Sequence, residues 1–327
     1  MVLLAFLMVA AAASGARIRG SRIRCVVPSL TRENLVTAEK RLLAAHCTPG
    51  VIKGPRNGLV SAQLPGPGLQ GKRGSKVALI LKPRSTGTQA AQTQPQPVGV
   101  AGNWSLVLDS EFGGKSLNTK VWRTGWLGSS VEMNPSQEDC YSPNNIVFPG
   151  DGTLHLNVTA EPSSCGGLTE PATGALINTD PAFGPPGGGF QYTYGFLEAR
   201  IYLPADGTQI ADWPGFWADG QTWPQDGEDD IMEGLKGVAC ATFHDPLGPT
   251  RLCDKYLAPG WHTFASDWEP GSITYYYDGA PIGTVTTGVT SAPMFIILDN
   301  TVHANEPTVT EPDSMQVQYV RVWQLKG

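Results

Sequence analysis

The stretch Trp223-Pro-Gln-Asp-Gly-Glu-Asp-Asp-Ile-Met-Glu233 sets Glu228, Asp229, Asp230 and Glu233 into a run that otherwise reads as a β-strand. Asp and Glu are depleted from strands, so four of them so close together need a reason. Parity supplies one. Side chains alternate faces with period two, so Glu228 and Asp230 share a face while Glu233, an odd number of steps away, points to the other. One extra residue, a β-bulge at Ile231 or Met232, returns Glu233 to the first face and lines up three carboxyl groups. The competing reading is a solvated acidic turn at Asp-Gly-Glu-Asp-Asp, and the Trp-rich flanking segments argue against it.

With the bulge absorbed, Glu228 and Glu233 lie four strand steps apart, roughly 13 Å along the backbone. Two Glu side chains leaning inward close much of that gap. Carboxyl groups about 5 to 5.5 Å apart are the arrangement in which one attacks a sugar and the other serves as acid/base, with retention of configuration. Asp230 between them is expected to steady the nucleophile through a shared hydrogen bond, its negative charge helping to keep a neighbour protonated.

Glu228-x-Asp230-x-x-Glu233, preceded by Trp213-Pro-Gly-Phe-Trp217 and followed by Gly260-Trp-His-Thr-Phe-Ala-Ser-Asp-Trp268 and Tyr275-Tyr-Tyr-Asp-Gly279, resembles family 16 of the glycoside hydrolases. That family contains laminarinases, mixed-linkage β-glucanases, agarases and carrageenases on a β-jelly-roll. The resemblance covers about residues 103 to 326. It implies Glu228 as nucleophile, Asp230 as its assistant and Glu233 as acid/base. The position after the nucleophile is usually apolar and faces the interior; here it is Asp229, which needs a buried partner. By position relative to this run, Trp223 and His244 resemble groove residues of laminarinase-like members. Trp213, Trp217, Trp126, Tyr141, Asn145 and Arg200 are further candidates. Each Trp has core packing as its alternative, and His244 has a surface place in a disulfide-closed loop.

Charge divides the chain. Residues 17–82 carry 13 Lys or Arg against 2 acidic residues, whereas residues 103–327 carry 9 against 27. Opposite signs indicate two modules with different surroundings. Met1 to Ala16 is a small-residue apolar run that reads as a secretory signal cleaved after Ala16, although it lacks a basic start. Six cysteines in an exported chain suggest three disulfides. Nearest-neighbour pairing joins Cys25 with Cys47, Cys140 with Cys165 and Cys240 with Cys253, each closing a loop that contributes roughly 3 kcal/mol. Cys240, His244 and Cys253 lack the fourth ligand and the CxxC pair of a zinc site.

Thr31 is a plausible N-cap for a helix presenting Leu35, Ala38, Leu42 and Ala45, with Glu33 in its first turn. Strand-like pieces follow at Gly58–Gln63 and Lys76–Leu81. Together with Val27-Pro-Ser-Leu30 and Ser61-Ala-Gln-Leu-Pro-Gly-Pro-Gly68, residues 24–82 resemble a PASTA domain, a small α+β module associated with bacterial peptidoglycan. That resemblance implies a wall-associated protein; a basic spacer that binds nothing specific is the alternative. Residues 83–102, with Thr-Gln-Pro-Gln-Pro, read as a semi-extended linker.

From residue 103 onward the pattern is mainly β, with short alternating strands and Gly- or Pro-rich turns. Leu154, Leu156 and Val158 alternate, as do Leu197, Ala199, Ile201 and Leu203, and Val317, Tyr319, Arg321 and Trp323. Tyr277-Asp-Gly-Ala280 signals a tight hairpin. An antiparallel two-sheet β-sandwich of the jelly-roll, concanavalin-like kind is the expected fold.

The expected function is a secreted retaining endo-glycosidase acting on β-1,3 or mixed β-1,3/1,4-glucan. The alternatives are a non-catalytic wall-associated carbohydrate binder and a transglycosylase or galactanase of the same fold. Only Arg123, Arg200, Arg251 and Arg321 occur beyond residue 103, which disfavours sulfated galactans. A polysaccharide is the expected partner and nucleic acid is not; a monomer is expected. No cofactor is expected. Some laminarinases hold calcium on the convex face, but the usual aspartate before Tyr319-Val-Arg-Val-Trp323 is Gln318 here, so that ion is not assumed.

Overall fold

The computed structural model describes residues 24–31, 33–82, 94–126, 136–184, 186–254, 257–304 and 313–326. The expected signal peptide and residues 83–93 of the expected linker lie outside them. The chain divides into two compact units, residues 1–93 and 94–327.

In the first unit a helix, Leu35–Ala44, buries Leu35, Ala38 and Leu42 against Val60, Val77, Leu79 and Leu81. These side chains recur at three- and four-residue steps, the spacing that makes one apolar stripe on a helix. The cap is Asn34 rather than Thr31, because the Asn34 Oδ1 accepts from the Thr37 N–H at 2.9 Å and sits directly before the first turn. Glu33 precedes the cap and pairs with Arg41 at 2.6 Å. Leu59–Leu64 and Lys76–Lys82 are strands, as expected. A third, Thr48–Lys53, runs parallel to Lys76–Lys82 and was not read from the sequence. The Cys25–Cys47 disulfide lies within this core.

The second unit is a sandwich of two large sheets. One runs Gly248–Asp254, Val238–Asp245, Glu228–Leu235, Trp213–Gly220, Met294–Thr301, Ala172–Asn178 and Arg123–Thr124. The other runs Ala280–Val285, Ser272–Tyr277, Gly260–Glu269, Gly195–Leu203, Asp313–Leu325, Leu154–Val158 and Ile146–Val147. Alternation decides what lies between them. Leu154, Leu156, Leu197, Ala199, Ile201, Phe216, Ala218, Ile296 and Leu298 form one continuous core with Trp122, Phe243 and Trp268. Tyr277 pairs with Ala280 across a turn whose Asp278 and Gly279 both have positive φ, the backbone that a two-residue hairpin requires.

Two expectations are corrected. Residues 94–102 belong to the sandwich rather than to a free linker: the Val98 N–H donates to Glu198 Oε2 at 2.8 Å and the Trp323 Nε1–H to the Pro95 carbonyl at 2.7 Å. The last strand does not alternate without interruption from Val317 to Trp323. Arg200 is opposite Tyr319 while Ile201 is opposite Val317, so Gln318 is an extra residue. Val317, Val320 and Val322 consequently all face the main core.

Asp229 faces the interior, 1% exposed, with its Oδ2 accepting from Ser266 Oγ of the opposite sheet at 2.8 Å. Burial raises its pKa from 3.8 to about 6, against the pull of hydrogen bonds with Tyr275 and Ser266. A carboxyl that binds its proton more tightly folded than unfolded stabilises the fold fully at low pH, and this stabilisation is lost as pH rises through that interval. Asp229→Asn should therefore gain stability relative to the native protein between pH 4 and pH 7, by about 3 kcal/mol at most. Denaturant midpoints at the two pH values measure this; a pH-independent difference would contradict it.

Candidate active site

Glu228–Leu235 lies inside its sheet, between Trp213–Gly220 and Val238–Asp245. Toward Val238–Asp245, Glu228 pairs with His244, Asp230 with Thr242, and Glu233 with Cys240. Two residues, Ile231 and Met232, stand opposite one, Ala241, which is a β-bulge. The same extra residue shifts the register toward Trp213–Gly220, where Asp230 pairs with Trp217 and Met232 with Phe216. Ile231 and Met232 are both fully buried in the core. The bulge thus brings Glu228, Asp230 and Glu233 onto the face turned away from the other sheet.

Directly paired residues share a face, and three rows result. Asp219, Glu228 and His244 form the first; Trp217, Asp230, Thr242 and Arg251 the second; Asp299, Gly215, Glu233, Cys240 and Cys253 the third. Gly215 has no side chain for a packing reason: a Cβ there would lie 2.3 Å from Asp299 Oδ1. That space lets Asp299 accept from Trp217 Nε1 at 2.9 Å.

Each carboxyl is held by named donors. Trp223 Nε1 donates to Glu228 Oε2 at 2.6 Å. Thr242 Oγ1 donates to Glu233 Oε2 at 2.9 Å and itself accepts from Arg251 Nε at 3.0 Å. The Arg251 guanidinium also lies 3.7 Å from Glu233 Oε2, and Trp213 Nε1 donates to Glu233 Oε1 at 3.3 Å. His244 Nε2 is 3.1 Å from Asp230 Oδ2. Beside the acids, Trp126 stacks on Trp217 with ring centroids 5.7 Å apart, and Tyr141, Leu176, Phe295 and Ile297 complete an apolar strip.

Burial raises Glu228, opposed by His244, by the Trp223 hydrogen bond and by one from Asp230, while Glu233 raises it further. Asp230 is pushed well above its ordinary value by burial first, then by the charges of Glu228, Glu233 and Asp229. The proton of this pair therefore sits on Asp230, which donates to an ionised Glu228. This reverses one expectation, that Asp230 would act through a negative charge: buried among three other carboxyls, it is the one that cannot stay ionised. Burial also lifts Asp219, opposite Glu228, and Asp299 to about 8 each.

Of the residues expected in the groove, Trp223, His244 and Trp213 touch the acids and Trp217 and Trp126 stack beside them. Tyr141 is in the same apolar strip, its hydroxyl donating to Gln137 Oε1 at 3.4 Å. Two are placed elsewhere. Asn145 is buried and its amide donates to the carbonyls of Asn157 and Thr173, so it is a structural clamp. Arg200 alternates with core residues Ala199 and Ile201 on the other sheet, facing away from the interior with its guanidinium 5.4 Å from the Trp261 ring. Asp219, Thr242, Arg251 and Asp299 were not anticipated. Thr242 shares the parity of His244, and Arg251 lies opposite Thr242 once Cys240 and Cys253 are paired, so both were within reach of sequence reasoning.

The ligating atoms of Glu228, Asp230 and His244 lie within 4.8 Å of one another. Hydrogen bonds from Trp223 and between the two acids already occupy this cluster, so it is read as acid chemistry. All three disulfides pair as expected.

No protein-family model matches the chain. An endo-1,3-1,4-beta-glycanase of Rhizobium meliloti is 26% identical over 236 residues, which is 64% of this chain and 47% of that protein. A beta-glucanase of Paenibacillus polymyxa is 27% identical over 190 residues, 53% of this chain and 69% of that protein. The chain thus spans less than half of the Rhizobium relatives it matches. Among solved structures, the catalytic domain of an endo-1,3-beta-glucanase (laminarinase) from Thermotoga petrophila superposes with a TM-score of 0.59 at 23% identity, covering 69% of this chain and 100% of that one. A non-specific endo-beta-1,3(4)-glucanase from family GH16 gives 0.60 at 21%, covering 71% and 95%. The sandwich therefore has the jelly-roll fold of family 16 glycoside hydrolases, as the resemblance implied.

Clustered carboxyls that must share protons destabilise the fold they serve. Glu228→Gln should raise the melting temperature at neutral pH by a few degrees, about 1 kcal/mol. A thermal melt reads this directly, and a fall of similar size would show that Glu228 is instead held as a structural group.

Proposed function

We propose that this protein is an endo-acting glycosidase that cleaves β-1,3 or mixed β-1,3/1,4-glucan with retention of configuration. The observation that carries this reading is the set of Glu228, Asp230 and Glu233 on one sheet face beside an aromatic strip. Ionised Glu228 attacks the anomeric carbon while Glu233 protonates the departing glycosidic oxygen; Glu233 then takes a proton from the water that releases the sugar. Donation from Asp230 and Trp223 holds the Glu228 carboxylate in place for attack. Thr242, backed by Arg251, and Trp213 fix Glu233 from two sides. Trp126 and Trp217 supply an apolar surface for a sugar ring, and the surrounding acids favour an uncharged polysaccharide over a sulfated one.

The apolar residues 1–16 and three disulfides support export to an oxidising compartment. The net positive charge of residues 17–82 suits an anionic wall surface, which supports attachment there through the first unit. Reducing-sugar release from laminarin, barley β-glucan and agarose, assayed side by side, tests the substrate. Activity on the first two is expected, with at least about a thousandfold loss in Glu228→Gln. Turnover of agarose alone would overturn the glucan assignment, full activity in Glu228→Gln would remove the nucleophile, and no turnover of any would favour a binding protein.

A further inference from the structure

The second sheet carries a pocket on its outer face, on the far side of the sandwich from the acids. In Gly260–Glu269, Ser266 bonds to Asp229 between the sheets and Trp268 belongs to the core, so alternation turns Asp267 and Glu269 outward. Direct pairing sets Thr274, Asp267, Phe196 and Trp323 in one row on that outer face. Beyond the row, at the end of the sheet, lies an open pocket of about 290 Å3 lined by Trp104, Tyr194, Asp267, Trp268, Glu269 and Gln324. Trp104 and Trp268 are buried, whereas Tyr194 is half-buried and stands edge-on to Trp268 with ring centroids 5.2 Å apart. Tyr194 takes this place from a left-handed backbone with φ 57°, which a residue with a side chain adopts only at a cost. The Gln324 amide donates to the Thr193 carbonyl at 3.3 Å, tying the last strand to the segment that presents Tyr194.

The lining selects the ligand by its chemistry. It joins aromatic rings to a hydroxyl, an amide and two carboxyls, so it offers apolar surface, hydrogen-bond donors and acceptors together. A sugar ring matches all three, with apolar faces and hydroxyls that both donate and accept. An anion would meet Asp267 and Glu269 as like charges. A wholly apolar ligand would strip water from both carboxyls and return no hydrogen bond. The volume lies at the lower edge of the roughly 300–1,000 Å3 of small-ligand sites, which suits a single ring. We infer that this pocket is a second saccharide site, holding one ring of a neutral polysaccharide while the cleft works on another part of the same material. The choice of β-glucan as that material rests on the function proposed above. Because the two sites are on opposite faces, a short oligosaccharide engages only one at a time. A long or insoluble glucan engages both, and the second contact then benefits from a raised effective concentration.

The test measures co-sedimentation of the full chain, carrying Glu228→Gln to prevent turnover, with insoluble β-1,3-glucan (curdlan), and its affinity for soluble laminaritriose. Adding Tyr194→Ala, Asp267→Ala or Glu269→Ala should weaken curdlan binding about tenfold and leave laminaritriose binding unchanged. In the chain with Glu228 intact, the same three substitutions should leave laminaritriose hydrolysis unchanged. Glu269 is exposed, so Glu269→Ala keeps the test decisive if Tyr194→Ala does not fold. Curdlan binding equal in parent and Glu269→Ala, or absent from the parent, would overturn the site. Retention on the amine-bearing polysaccharide chitosan in place of curdlan, lost in the same variants, would overturn the neutral-sugar assignment in favour of a cation. A protein that hydrolyses no glucan yet loses curdlan binding in these variants would refute the proposed function and leave the second site standing. Full hydrolysis with unchanged curdlan binding would do the reverse.

Discussion

One additional residue in one strand governs the rest of this structure. At Ile231 and Met232 the backbone sets two residues against Ala241 alone, and that irregularity turns Glu233 toward Glu228 and Asp230. Both bulge residues are buried among the core side chains, so the turn of the strand is held by packing on one face while chemistry occupies the other. A regular strand would put Glu233 into the sandwich interior, where its charge would cost several kcal/mol and do nothing useful.

Crowding of acids is the second constraint and follows from the first. Asp219, Glu228, Asp230, Glu233 and Asp299 share one sheet face, and burial raises four of the five. A low-dielectric surface cannot carry that many negative charges, so protons stay on Asp230, Asp219 and Asp299 near neutrality. The result is a division of labour among chemically similar groups. Donors from Trp223 and Asp230 favour the ionised form of Glu228 against its burial, and the cationic Arg251, acting through Thr242, adjoins Glu233. The cross-strand Cys240–Cys253 disulfide joins the hairpin that presents both Thr242 and Arg251.

Much of this was legible in the residues. The odd spacing between Glu228 and Glu233 required a bulge, and Ile231 and Met232, the only residues between Asp230 and Glu233, were where it had to fall. Alternation in Leu154–Val158 and Gly195–Leu203 announced sheets, and Asp278-Gly279 announced their hairpin. What failed was choosing a face or a boundary when two patterns look alike. Alternation of Leu197, Ala199, Ile201 and Leu203 already turned Arg200 away from the interior, but nothing in the residues showed that its strand belongs to the sheet opposite the acids. Gln318 adds a bulge to the last strand without breaking a pattern that already mixed polar and apolar residues. Residues 94–102 have no large aliphatic core residue of their own kind beyond valine, yet they are tied down by the backbone of Pro95 and Val98, which composition does not reveal. Asp299 is far from the acidic stretch in sequence and reaches it only because Met294–Thr301 pairs with Trp213–Gly220.

Under the proposed mechanism, the kinked strand makes Glu228 the residue that bonds to sugar. The most direct measurement is mass spectrometry of proteolytic fragments after incubation with a 2-deoxy-2-fluoro β-glucoside of laminaribiose carrying an activated leaving group, which forms the glycosyl-enzyme and slows its release. The predicted result is one sugar adduct, on Glu228. An adduct on Glu233, or turnover with no covalent species and inverted product, would contradict the account.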